Sequence, residues 1–324
     1  MRRHFACLAV LLGVGVAVAH GAGQQTPDTV EAHVAAAKAA AQQNHAGLFT
    51  ELCAEPVPAA GRGGRGGQPQ GPPDPSRWHR EPYKVFDNLY FLGMDDVGAW
   101  AVTTSDGIII IDALYDYSVK DEIVDGLKKL GLNPATIKYV IVSHGHGDHS
   151  AGAGYLQNEF GARVILSAAD WDLLDRTTGN TPKPRRDMVA TDGQKLTLGD
   201  TTITMYVTPG HTPGTISFLI PVKDGGRPHL VAEWGGTAFN SQRTVDYFTT
   251  YANSAARFRS LVERAGADAV ISNHSRYDGA GVKIAALKNR KPGDPHPFVI
   301  GTDAAKRYAQ VAEECARAGL ARLR

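Results

Sequence analysis

The chain has 324 residues, 43% of them hydrophobic and 21% charged, and a formal net charge of +1. Such a chain buries enough apolar surface for one large or two small globular domains. The near-zero charge removes the electrostatic case for nucleic acid or an anionic membrane as a partner.

Residues 1–19 open with Arg2, Arg3 and His4 ahead of an apolar run from Phe5 to Ala19, which ends Ala17-Val18-Ala19. A positive head, an apolar body shorter than the roughly 20 residues of a membrane span, and a small-residue cleavage pattern predict a secretory signal peptide. The competing reading is an uncleaved anchor. No other long apolar run follows, so the mature chain is expected to be periplasmic or secreted, without membrane contact once the signal is cleaved.

Residues 20–77 read as an N-terminal helix and a linker. Val30, Val34, Ala37 and Ala41 recur at helical spacing between Thr29 and Leu52,. Pro56 to Pro75 is dominated by Gly, Pro, Arg and Gln, a composition that cannot offset its own chain entropy, so a flexible tether is expected. In an oxidising compartment Cys53 and Cys315 suggest one disulfide between this arm and the C-terminal helix, the alternative being two buried thiols.

Residues 78–324 read as the folded domain. Val85 to Leu92, Trp100 to Thr104 and Gly107 to Asp112 are predicted strands, and Tyr117 to Leu130 an amphipathic helix stopped by Gly131. Ile137 to Val142 is a buried strand, Gly152 to Phe160 a helix and Arg163 to Ser167 a strand. A second block follows, with strands at Lys195 to Leu198, Thr201 to Val207, Thr215 to Pro221 and His229 to Ala232. A helix at Tyr251 to Ala265, a strand at Ala269 to Ser272 and a helix at Thr302 to Ala318 complete it. Two blocks of strands among helices predict an α/β fold of two packed sheets with helices outside.

Chemistry concentrates at His144-Gly145-His146-Gly147-Asp148-His149, directly after the buried strand. The glycines allow a tight turn, His144 and His146 can point to one centre, and Asp148 and His149 can serve a second ion. Imidazole and carboxylate are suitable zinc ligands. One loop cannot close two coordination shells, so distant ligands are required. His211, in Thr208-Pro209-Gly210-His211-Thr212-Pro213-Gly214, and His274, in Ile271-Ser272-Asn273-His274, each follow a predicted strand. His229 and His296 compete with them less well, and His33, His45 and His79 lie before or at the edge of the domain.

H-x-H-x-D-H, a P-G-H-T-P-G turn and a late His after a strand resemble the metallo-β-lactamase superfamily, from about Trp78 to Leu320. The resemblance implies the four-layer αββα sandwich, with one zinc on His144, His146 and His211 and a second on Asp148, His149 and His274. Asp112 matches the family's early Asp and reads as a buried hydrogen-bonding residue beside the metal loop. Glyoxalase-like hydrolases and many lactonases carry a bridging Asp in a G-G-D element, and another lactamase branch has a Cys there; here the element is Gly235-Gly236-Thr237. The remaining ligand set is similar to subclass 3 of the class B β-lactamases, as is the stretch from Phe298 to Leu320. That subclass usually has a Ser where this chain has Phe239.

The resemblance implies a dizinc hydrolase acting on a small molecule, with zinc-bound hydroxide opening the amide bond of β-lactams and Asp148 orienting the nucleophile. Thr237 and Phe239 are the expected substrate contacts, and Glu233 is held in reserve as a metal ligand. A lactonase of the same fold is the alternative hydrolase, and a zinc-binding protein with little turnover is the alternative of another class.

Overall fold

Burial along the strands decides the architecture. In Gly107–Ile111, Ile109 and Ile111 face one apolar cluster while Ile108 and Ile110 face another. A strand apolar on both sides needs cover on both faces. The computed structural model describes Met1 and residues 28–53, 72–240 and 242–324. The whole of the apolar run read as part of a signal peptide and most of the Gly/Pro-rich linker lie outside the described residues.

The strands of the first sheet are β1 (Tyr83–Lys84), β2 (Leu89–Phe91), β3 (Trp100–Thr104), β4 (Gly107–Ile111), β5 (Ile137–Ile141), β6 (Arg163–Ser167) and β7 (Met188–Ala190), arranged in chain order. Pairing is antiparallel from β1 to β4 and parallel from β4 to β7. The second sheet holds β8 (Lys195–Leu198), β9 (Thr201–Val207), β10 (Ile216–Asp224), β11 (Arg227–Trp234) and β12 (Ala269–Ser272). Its spatial order is β12-β11-β10-β9-β8, with β12 parallel to β11 and the rest antiparallel. Phe91, Trp100, Ile109 and Ile141 from the first sheet meet Met205, Phe218, Val231 and Ile271 from the second. Each such fully buried side chain contributes about 1.5–3 kcal/mol of burial.

The described helices are α1 (Val30–Ala41), α2 (Ala46–Cys53), α3 (Asp125–Lys129), α4 (Gly147–Ser150), α5 (Ala153–Phe160), α6 (Ala168–Arg176), α7 (Val245–Ala265), α8 (Ser275–Asp278), α9 (Ala280–Lys288) and α10 (Thr302–Ala321). α3, α5 and α6 cover the outer face of the first sheet through Leu127, Leu156, Trp171 and Leu174. α7 and α10 cover the second sheet through Phe248, Phe258, Tyr308 and Ala312. The result is the expected four-layer αββα sandwich. Among the described residues no helix is long and apolar enough to cross a membrane.

Four local expectations change. Val85 to Leu92 is a hairpin and not one strand, because Asp87 and Asn88 turn the chain and Val85 N donates to Leu89 O,. The helix expected from Thr29 to Leu52 breaks at Gln42, whose φ of 47° no helix accommodates,. Tyr117 to Leu130 holds a π-helical stretch, Val119–Val124, which runs into α3. The arm placed before Trp78 also shares a core with the domain: Ala37, Leu48 and Leu52 pack in the cluster of α7 and α10. Cys53 is disulfide-bonded to Cys315 on α10.

Candidate metal centre

Strand ends deliver the histidines to one edge of the sandwich. β5 leads into the loop carrying His144 and His146 and into α4, which carries Asp148 and His149; His211 follows β9 and His274 follows β12. The ligand atoms of His144, His146 and His211 lie within 4.8 Å of one another, as do those of His144, Asp148 and His149. His211 Nε2 is 3.1 Å from His144 Nε2 and 3.0 Å from His146 Nδ1. His149 Nε2 is 3.3 Å from both His274 Nε2 and Asp148 Oδ2.

The contact between His144 and His211 is not a hydrogen bond. His144 Nδ1–H donates to Gly235 O at 2.9 Å and His211 Nδ1–H to Ala238 O at 2.6 Å. Both rings therefore keep their proton on Nδ1 and aim bare Nε2 lone pairs at each other. Lone pairs converging near 3 Å repel unless a cation sits among them, and zinc at about 2.0–2.1 Å from each nitrogen fits that spacing. Burial, followed by the neighbouring imidazoles, pushes His144 well below the ordinary histidine range and His211 to about 3. Neutral at physiological pH, they could bind a metal ion without losing a proton.

The second group has the opposite balance. His149 Nδ1–H donates to Asp112 Oδ2 at 2.8 Å. Burial disfavours a charged His149, but Asp148 and Asp112 outweigh it and raise the ring to about 10. Burial likewise opposes the Asp148 anion, yet His149 and His274 hold its carboxyl well below the usual range. Without metal, a proton takes the place a cation would fill. Asp112 is held by unusual backbone: Asp112 and Leu114 have φ of 61° and 59°. Ala113 N donates to His149 O across that turn, so strain is spent on placing a carboxylate beneath the ligand,.

Asp170 was not legible as a site residue. On α6 and fully buried, it accepts from Gly145 N at 2.8 Å, Thr212 Oγ1 at 2.7 Å and Gly214 N at 2.8 Å, joining the two ligand loops. Burial pushes its carboxyl up, against the pull of its three donors. Its one sequence signal is Ser167 three residues earlier, which caps α6 by accepting from Asp170 N,. Gly145 and Gly147 have no positive φ. Close approach is their reason, since a Cβ would meet Asp170 O at 3.2 Å and the Thr181 methyl at 3.3 Å respectively.

Both expected substrate contacts are engaged by aromatic side chains. Thr237 is 1% exposed and its hydroxyl shares a hydrogen bond with Tyr308 OH. Phe239 packs edge-on to Phe248 and Tyr251. An open space of about 370 Å³ beside His211 is lined by Thr212, Asn240, Gln242, Tyr247 and Thr250. Half-buried Tyr115, stacked on Tyr117 at 5.0 Å, is near enough that the Asp148 charge adds to burial in raising its phenol. The competing histidines lie apart, His229 on Asp268 and His296 on Val85 O. Glu233 is buried between the sheets with no hydrogen-bond partner.

Residues 92–225 match the family model described as the metallo-beta-lactamase superfamily. Over that stretch the chain is similar to the domain of that superfamily. Among solved structures, the metallo-β-lactamase superfamily fold is shared with BJP-1, a subclass B3 metallo-beta-lactamase of Bradyrhizobium japonicum. That likeness has a TM-score of 0.62 at 26% identity and covers 73% of this chain and 92% of BJP-1. A metallo-beta-lactamase from Cronobacter sakazakii is similar at 27% identity and TM-score 0.61, covering 72% of this chain and 92% of that one. By sequence, hydroxyacylglutathione hydrolase of Acidiphilium cryptum is 39% identical over 83 residues, which is 26% of this chain and only 30% of that enzyme's length. The N-acyl homoserine lactonase AttM of Azorhizobium caulinodans is 28% identical over 217 residues, covering 60% of this chain and 78% of AttM. Fold and relatives support a hydrolase, and the two histidine clusters are groups that could hold metal ions.

Proposed function

We propose that the protein is an exported dizinc hydrolase that opens the amide bond of β-lactams. The supporting observation is at the place a bridging carboxylate would occupy. Thr237 stands there with its hydroxyl turned to Tyr308, so the second group consists of Asp148, His149 and His274. That ligand set resembles subclass 3 of the class B β-lactamases. His144, His146 and His211 would hold the first zinc, and the three others the second. Bound zinc would polarise the scissile carbonyl and bring the pKa of water toward neutrality.

The chain's own groups do the rest. Asp148 is ionised and its side chain is 22% exposed, so it can take the proton of an attacking water and return it to the departing nitrogen,. Asn240 is fixed by its Nδ2–H bond to His211 O and by Tyr247 OH, which accepts from Asn240 N. This places neutral hydrogen-bonding groups along the cleft, suited to a polar amide substrate. The Tyr115–Tyr117 stack offers an apolar wall on the Asp148 side.

The extent of the AttM likeness favours lactone opening as the second reading. Turnover of a β-lactam panel beside a lactone panel, with and without chelator, separates the two. Chelator-sensitive β-lactam opening is expected. Faster lactone opening would transfer the assignment to a lactonase, and no turnover of either would leave a zinc-binding protein.

A further inference from the structure

A buried phenol on α10 connects the two halves of the metal centre. Tyr308 lies on α10 and is 2% exposed. Its OH donates to Ser272 Oγ at 3.3 Å and lies 3.2 Å from Thr237 Oγ1. Ser272 Oγ also accepts from His274 N at 3.2 Å. With the Tyr308 proton directed to Ser272, Thr237 is the donor on the other side, and Ser272 Oγ is the acceptor where the donation from Thr237 through Tyr308 meets that from His274 N,.

The other end of that chain matters equally. Thr237 lies between Gly235 and Ala238, whose carbonyls fix the Nδ1 protons of His144 and His211. Gly235 O also accepts from Asn273 Nδ2 at 2.7 Å, next to His274. The segment is pressed close, since a Cβ on Gly235 would stand 1.7 Å from Ile216 O. Thr237 O in turn accepts from Tyr251 OH at 2.6 Å. The segment that orients the first group and the segment that carries His274 therefore share one buried hydroxyl.

Tyr308 is itself held from outside the sandwich. The His45 ring meets it edge-on at 5.4 Å, and His45 Nε2–H donates to Ala304 O on the same helix. About two turns further along α10, Cys315 is bonded to Cys53 of α2,.

We infer that Tyr308 is a positioning residue: its hydroxyl sets the distance between the Gly235–Ala238 segment and His274, and so governs the affinity of the second metal position selectively. This rests on the dizinc reading above. Removing an outer partner of a ligand typically weakens metal binding 10–100-fold. Because Tyr308 acts through Ser272 and the backbone, the lower end, about tenfold, is expected.

The test titrates metal-free mature protein with zinc in competition with a chelating dye, and with cobalt followed by its visible absorption. Wild type, Tyr308→Phe, Thr237→Ala, Thr237→Ser and the Tyr308→Phe/Thr237→Ala pair are compared. Wild-type protein that takes up fewer than two ions refutes the dizinc reading before any variant is considered. With two taken up, Tyr308→Phe is expected to weaken the second ion about tenfold and the first less than about twofold. Thr237→Ser should retain wild-type affinity, and the double variant should be no weaker than either of its parents, because both remove one chain. Equal weakening of both ions, no change in either, or additive losses in the pair would overturn the inference. Thr237→Ala carries the same test should Tyr308→Phe fail to fold.

Discussion

Replacing Asp170 by Asn changes one atom in a fully buried side chain and breaks the link between the two ligand loops. The carboxylate receives two hydrogen bonds on Oδ2, from Gly145 N and Thr212 Oγ1, and one on Oδ1, from Gly214 N. An Asn in the same rotamer offers one oxygen and turns its NH2 toward a backbone N–H whichever way it is flipped. Thr212 can rotate its hydroxyl to accept, but neither Gly145 nor Gly214 can. One charge-assisted bond is lost and one buried donor is orphaned, a cost of about 2–4 kcal/mol. The His144 and His211 loops are then free to separate, which should weaken first-site zinc roughly 10–100-fold. Urea unfolding in chelator measures the first effect, and zinc competition of folded protein measures the second. An Asp170→Asn protein with wild-type stability and zinc affinity would refute this role.

Three further outcomes follow from other parts of the structure. The Cys53–Cys315 bond spans a sequence separation of 262; loop-closure entropy bounds its contribution at about 5–6 kcal/mol, and unfolding midpoints of the Cys53→Ser/Cys315→Ser protein should fall well below wild type, identical midpoints contradicting this. Burial, then the Asp112 and Asp278 carboxylates, raise the Glu233 carboxyl well above its usual range. A raised folded-state pKa means stability is complete below about pH 4.5 and is lost as pH climbs toward the folded value. Glu233→Gln should therefore raise the melting temperature of metal-free protein at pH 8 and change it little at pH 4.5, and the reverse pattern would show that the carboxylate is partnered. Asp148→Asn removes a charged ligand and the proton carrier, so kcat should fall by about 10²–10⁴, and near-normal turnover would assign the proton transfer elsewhere.

The ligand loops were legible because chemistry and local pattern coincide in them. Ile137 to Val142 is apolar enough to be a core strand, so the histidines that follow had to sit at a strand end. His211 and His274 repeat that arrangement. What holds those ligands was less visible. The Gly235 and Ala238 carbonyls act through backbone atoms, which no residue type advertises, and Asp170 reaches its donors only after α6 packs beside both loops. The packing of Thr237 and Phe239 was hidden for a related reason. Position after β11 suggests the cleft, but Tyr308 and Tyr251 approach from α10 and α7, the first bonding the Thr237 hydroxyl and the second packing against the Phe239 ring. The Ala-rich arm was equally ambiguous, because small residues at helical spacing suit a loose helix and also close packing against α10.

The account stands most directly on zinc itself. Metal-free mature protein, given zinc in measured steps while β-lactam opening is followed, is expected to bind two ions per chain, with turnover rising as the sites fill and vanishing again with chelator. Full turnover by protein verified to be metal-free would contradict it.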